Sequence, residues 1–77
     1  MYNPISCEFF DQLNVAMQRK IPSTIVYLKD EEKKEIKKEI VLTMEVVDGI
    51  EYMILKSKEK IRLDTVLTFN GKKHREE

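Results

Sequence analysis

The chain has 77 residues, of which 42% are hydrophobic and 36% are charged, and its 14 acidic residues balance its 14 basic ones. A chain this short forms one domain with a thin margin of stability, so a catalytic site built around a deep cavity is not expected. The balanced charge provides no long-range attraction to nucleic acid or an anionic membrane, and no apolar run approaches the ~18 residues of a membrane span.

Cysteine and histidine are too scarce for the common site chemistries. Cys7 is the one cysteine, which excludes an intramolecular disulfide and a cysteine-rich zinc site, and His74 is the one histidine. The chain has no glycine-rich phosphate loop and no serine-histidine-aspartate set, so we predict no enzyme activity, no catalytic residue, no cofactor and no metal. The N-terminus lacks the pattern of a signal peptide, and a cytoplasmic location is therefore the expectation.

An extended lead-in through Pro4 precedes a predicted helix. The helix runs from about Cys7 or Glu8 to Arg19, with Ser6 or Cys7 as its cap and Pro22 preventing its continuation. One face of this helix is apolar at helical spacing and is predicted to join the core. The apolar positions are Phe9, Phe10, Leu13, Ala16 and Met17.

About five short strands are predicted after the helix. Residues 24–28 form a β-branched and aromatic run, and Asp48 with Gly49 is a hairpin signal before residues 50–55. The remaining short strands are residues 61–64 and 66–69, with a bend between them. The segment from residue 31 to 47 is ambiguous, because its glutamates and lysines favour helix while its alternation favours strand; we predict a strand.

The predicted organisation is a single domain over residues 1–71 with a charged, flexible tail over residues 72–77. Short strands joined by tight turns must protect their sheet edges. In so short a chain, we expect a strongly bent, partly closed antiparallel barrel of five strands with the helix packed on one end. The predicted fold class is therefore mainly β with one N-terminal helix.

Several short motifs, taken together, resemble one bacterial family. The segment from Tyr2 to Cys7 reads YNPISC and leads into FFDQL at residues 9–13, and Leu28-Lys29-Asp30 follows at the first turn. Glu51-Tyr52-Met53 comes later, and Arg62-Leu63-Asp64 precedes Phe69. Over roughly residues 2–70 the chain resembles the Rho-binding antiterminator (Rof) family.

The resemblance implies an Sm-like fold, in which an N-terminal helix lies on a small, bent five-stranded barrel. It also implies a function, namely binding of the transcription termination factor Rho near its primary RNA-binding surface. Acidic side chains of such proteins take the place of RNA phosphates and so inhibit Rho-dependent termination. This chain is neutral, whereas well-known members are acidic, and it has Asn14 at a helix position that is often acidic in the family.

The candidate contact residues lie on the helix, away from its apolar stripe. Glu8 and Asp11 would present carboxylates to the arginine or lysine side chains of a partner. Val15 falls among polar residues, where an apolar side chain can form the centre of a contact patch. The predicted partner-binding set is Glu8, Asp11, Gln12, Asn14, Val15 and Gln18.

Each candidate residue also has a purely structural interpretation. Acids in the first turn stabilise a helix dipole, and single exposed aliphatic residues are common. Two other functions remain open, namely an Sm-like protein that binds single-stranded RNA and an interaction domain for a different protein partner. In each case we expect a monomer that does not bind membranes.

Overall fold

The computed structural model describes residues 5–74, so the predicted lead-in through Pro4 and the last three tail residues lie outside the described residues. One helix, α1 (Cys7–Arg19), precedes the strands. Among residues 5–74 the strands are β1 (Ser23–Lys29), β2 (Glu32–Glu39), β3 (Val41–Val47), β4 (Ile50–Leu55), β5 (Lys60–Arg62), β6 (Val66–Phe69) and β7 (Lys72–Lys73), with a 3-10 turn at Leu63–Thr65.

Both ends of α1 follow from local sequence. The Ser6 hydroxyl accepts a hydrogen bond from the Phe9 amide at 3.1 Å, which satisfies one of the unpaired donors of the first turn. The helix ends at Lys20 in the left-handed conformation, with φ 52°, and Pro22 follows. The predicted helix bounds and the Ser6 cap are therefore confirmed.

The strands form two antiparallel sheets, with strand orders β2-β1-β6-β7 and β3-β4-β5. The mainly β class with one N-terminal helix is confirmed. The expected single five-stranded barrel is not what the described residues show, because they form seven strands in two sheets and no closed barrel. No helix within residues 5–74 is long and apolar enough to cross a membrane.

The long segment after the first turn is a strand, as predicted, but Ile40 divides it into β2 and β3. Lys38 has a positive φ of 55°, which turns the backbone just before the break. The chain after β4 stabilises the break, because the Lys56 amide donates to the Ile40 carbonyl at 2.8 Å and the Ser57 amide donates to the Glu39 carboxylate at 2.9 Å.

The core lies between the inner side of α1 and the two sheets. From the helix it takes Phe9, Leu13 and Ala16, whereas Phe10 is exposed, so its predicted place in the core is wrong. The reason is helix geometry, since Phe10 lies about 100° around the axis from Phe9. The other buried residues of this core lie in the strands and the 3-10 turn and are Ile25, Tyr27, Val41, Met53, Leu55, Ile61, Leu63, Val66 and Phe69.

The C-terminal segment departs from the prediction of a flexible tail beginning at Lys72. Asn70 and Gly71 form a turn with positive φ values, so they do not end the domain. Lys72–Lys73 pair with β6, and the His74 amide donates to the Leu67 carbonyl at 2.7 Å. Backbone hydrogen bonds to an open sheet edge order this polar segment, which lacks the apolar side chains that would have indicated a strand.

Candidate protein-binding surface

Four predicted contact residues form one exposed stripe along α1. Glu8, Asp11, Val15 and Gln18 are all exposed, and their spacing places them on the same side of the helix. Val15 retains 46% of its accessible surface and stands among these polar side chains. We call these four residues the outer face of α1; it offers two carboxylates, one amide and one apolar side chain.

The two acids of the outer face differ in their surroundings. The Glu8 carboxylate lies 2.7 Å from the Lys72 ammonium, although 65% of the Glu8 side chain remains accessible. The hydrogen bond and the positive charge of Lys72 hold the pKa of Glu8 below its ordinary value. Asp11 is exposed one turn further along the helix. The Glu8 carboxylate is therefore ionised, and it is already paired with Lys72.

Gln12 faces the body of the protein and not the outer face. Its amide nitrogen donates to the Phe69 carbonyl at 3.0 Å, so its Oε1 is the acceptor in the 2.6 Å contact with His74 Nε2. His74 Nε2 therefore carries the proton that it donates to Gln12. These two bonds join α1 to β6 and to the C-terminus, which makes Gln12 a structural residue of the helix.

Asn14 lies at the border of the outer face and is half-buried. It lies about 100° around the helix axis from the fully buried Leu13. The predicted contact set therefore divides into the four exposed residues of the outer face, the half-buried Asn14, and Gln12, which is bonded inward.

The sequence patterns did not reveal the segment that supports the helix from outside. We call Lys72, Lys73 and His74 the C-terminal strap. The His74 ring stacks on the Phe9 ring, with centroids 4.2 Å apart and planes 14° from parallel. Burial lowers the pKa of His74 from its ordinary 6.5, an effect that the nearby Glu8 charge opposes. The strap therefore favours a neutral imidazole.

The charges of β2 are paired with one another. Lys34 lies 3.1 Å from the Glu32 carboxylate, and Lys37 lies 3.8 Å from Glu35, all on exposed side chains. Such alternation cancels the local field and forms an ordinary solvated surface. The exposed carboxylates of α1 differ, because Asp11 stands beside Val15 on a surface of mixed character.

The geometry defines a small mainly β domain that presents an acidic helix face beside its C-terminal strap. Comparison with family models, with curated proteins and with solved structures finds no match to this chain.

Proposed function

We propose that this protein is a Rho-binding antiterminator. It binds the transcription termination factor Rho near the primary RNA-binding surface of Rho, and it thereby inhibits Rho-dependent termination. The observation that carries the proposal is the outer face of α1, where Glu8 and Asp11 point away from the core. Their carboxylates would form charge-assisted hydrogen bonds with cations that otherwise hold RNA phosphates.

The composition of the outer face supports a protein partner. Val15 contributes apolar area that is removed from water on contact, and Gln18 contributes a hydrogen-bonding amide beside it. Apolar contact area surrounded by polar groups is the usual arrangement of a protein interface. Charge complementarity would mainly accelerate association and orient the two partners.

We further propose that the fold is a strongly bent, five-stranded Sm-like barrel in outline. The strand pairing supports this if β2 and β3 are counted as one strand bent at Ile40 and the two-residue β7 is left aside. The remaining strands then follow one continuous order, β6-β1-β2/β3-β4-β5. α1 precedes β1, as the resemblance implies, and the Arg62-Leu63-Asp64 motif lies at the short bend between β5 and β6.

The proposal is tested by mixing the purified protein with Rho from the same organism and analysing the mixture by size-exclusion chromatography at low salt. The expected result is co-elution at micromolar concentrations, together with reduced Rho-dependent termination in a transcription assay. Separate elution under these conditions would contradict the proposal.

A charge-reversal pair locates the contact surface. The double variant Glu8→Lys with Asp11→Lys should abolish co-elution, because it places two cations opposite the cations of Rho. The matched control, Glu32→Lys with Glu35→Lys on exposed β2, makes the same change in net charge and should leave binding intact. Equal loss in both variants would point to net charge, and not to α1, as the determinant.

A further inference from the structure

A cleft at the far end of β1 brings aromatic rings and cations together. It is an open depression of about 210 Å³ between β1, β4, β5 and the 3-10 turn. The side chains that matter for binding are Tyr27, Lys29, Tyr52, Glu59, Lys60 and Arg62. None of the residues that line the cleft belongs to α1. The cleft is therefore a separate surface from the outer face of α1.

Hydrogen bonds hold the walls of the cleft in place. The Tyr27 hydroxyl donates to the Glu59 carboxylate at 2.8 Å, and Tyr27 is itself buried. Asp64 accepts two hydrogen bonds from Arg62, at 2.7 and 3.0 Å, which fixes the plane of the guanidinium. The Thr65 hydroxyl donates to the Arg62 carbonyl at 2.7 Å. A preorganised wall reduces the entropy that a ligand must remove on binding.

Three cations, Lys29, Lys60 and Arg62, line the cleft. The Arg62 guanidinium is paired with Asp64, and the lining carboxylate of Glu59 accepts a hydrogen bond from Tyr27. Within residues 5–74, Lys29 makes no ion pair. The Lys60 ammonium lies 5.0 Å from the centre of the Tyr52 ring. The Glu45 carboxylate lies 3.5 Å from the same ammonium.

We propose that this cleft binds a nucleotide, with a planar base packed beside the Tyr52 ring and a phosphate held by Lys29 and Lys60. The volume is below the ~300 Å³ of the smaller ligand pockets, which suits one ring system and excludes a large cofactor. Aromatic side chains next to lysines are the elements with which proteins hold single-stranded nucleic acid. This proposal goes beyond Rho binding and does not depend on it.

The ligand chemistry has two sources, a free nucleotide and a nucleotide unit of single-stranded RNA. Fluorescence anisotropy with labelled hexauridylate and hexaadenylate, together with calorimetric titration of UMP and AMP, distinguishes them. Saturable binding of an RNA or of a mononucleotide is expected at low salt. If inorganic phosphate competes as well as UMP does, the base is not recognised and the proposal is overturned, as it is if neither RNA nor mononucleotide binds.

Variants of the cleft test the position of the site. Lys29→Ala should lower the salt dependence of RNA binding by ~0.7 in the slope of log K against log salt, because one phosphate contact is lost. Tyr52→Leu should weaken binding about tenfold through loss of stacking, and Tyr52→Phe should retain it.

A matched control removes two positive charges elsewhere. Arg19→Ala with Lys37→Ala changes the net charge by more than Lys29→Ala does, but neither residue lines the cleft. The control should bind RNA or mononucleotide as the unmodified protein does. Binding that falls in the control as far as in Lys29→Ala would show a non-specific charge effect and would overturn the proposal. The Rho assay is read separately, so the two proposals fail independently.

Discussion

The Glu8 carboxylate and the Lys72 ammonium lie 2.7 Å apart, so the proposed contact face of the helix shares an ion pair with the last strand. This pair links the two ends of the described chain across the surface. It also partly neutralises one of the two carboxylates that we propose to contact Rho. The affinity of the outer face for a cationic partner therefore depends on a residue outside the helix.

Removal of Lys72 tests this link. The variant Lys72→Ala should strengthen Rho binding severalfold at low salt, because Glu8 no longer divides its charge between two cations. The difference should shrink as salt is added, since exposed charges are screened. The measurement is a titration of Rho at two ionic strengths. The control Lys37→Ala removes an equal charge from β2, and an equal gain in that variant would refute a specific role for Lys72.

Truncation of Gln12 separates support of the helix from partner contact. Gln12→Ala loses the bonds to the Phe69 carbonyl and to His74, which should lower the free energy of unfolding by about 1–3 kcal/mol. Urea denaturation measures this change. Gln18→Ala, on the exposed face, should change stability by less than ~0.5 kcal/mol. If Gln12→Ala unfolds like the unmodified protein but loses Rho, then Gln12 is a contact residue.

Acidification should loosen the C-terminal strap. Burial lowers the pKa of His74 from 6.5, so the folded state favours the neutral ring more than the unfolded state does. This contribution to stability is fully present above pH 6.5 and is lost as pH falls through the folded pKa. Because His74 is the one histidine, its imidazole signal can be followed by NMR. A midpoint at or above 6.5 would contradict the packing against Phe9.

A variant separates the charge of His74 from its shape. His74→Phe keeps a ring against Phe9 but has no titrating group, so the part of the acid destabilisation that begins near pH 6.5 should disappear. The Glu8 carboxylate, whose pKa Lys72 lowers, titrates only at lower pH and should still respond. Denaturation curves of both proteins between pH 2 and 8 test this difference.

At alkaline pH the sensitive group is Tyr27. Burial, together with the hydrogen bond to Glu59 and its negative charge, raises the pKa of Tyr27 from 10.0 to about 12. The associated stability is present below pH 10 and is lost as pH rises through 12. Absorbance at the tyrosinate band should show a late transition that Tyr27→Phe removes. Glu59→Gln should move it only part of the way back, because burial is the larger cause.

Local sequence patterns were sufficient to predict the helix, hairpin and strand whose formation depends on residues close together in the chain. The Ser6 cap and Pro22 bracket α1, and Asp48 with Gly49 forms the hairpin between β3 and β4. The alternation after the first turn correctly indicated strand over helix. Arg62 and Asp64, two residues apart in the chain, are joined by two hydrogen bonds. In each case the responsible residues are neighbours in the chain, so their interactions are visible in the sequence.

Tertiary contacts explain what the patterns missed. Leu42 and Val46 share an alternation with Ile36, yet they remain 54% and 65% exposed. The break at Ile40 and the register shift between Val41 and Thr43 bring Val41 to the core in their place. The same limitation applies to the candidate site, because the bond between Gln12 and His74 joins residues 62 positions apart.

The two-residue strand β7 has a consequence for assembly. It lies at the end of its sheet, next to β6, and so occupies backbone groups of β6 that would otherwise be open to a strand of another molecule. The protein thus supplies its own blocking segment from its C-terminal residues. Truncation of the chain at Gly71 would remove β7. Those backbone groups of β6 could then form hydrogen bonds with a strand of another molecule.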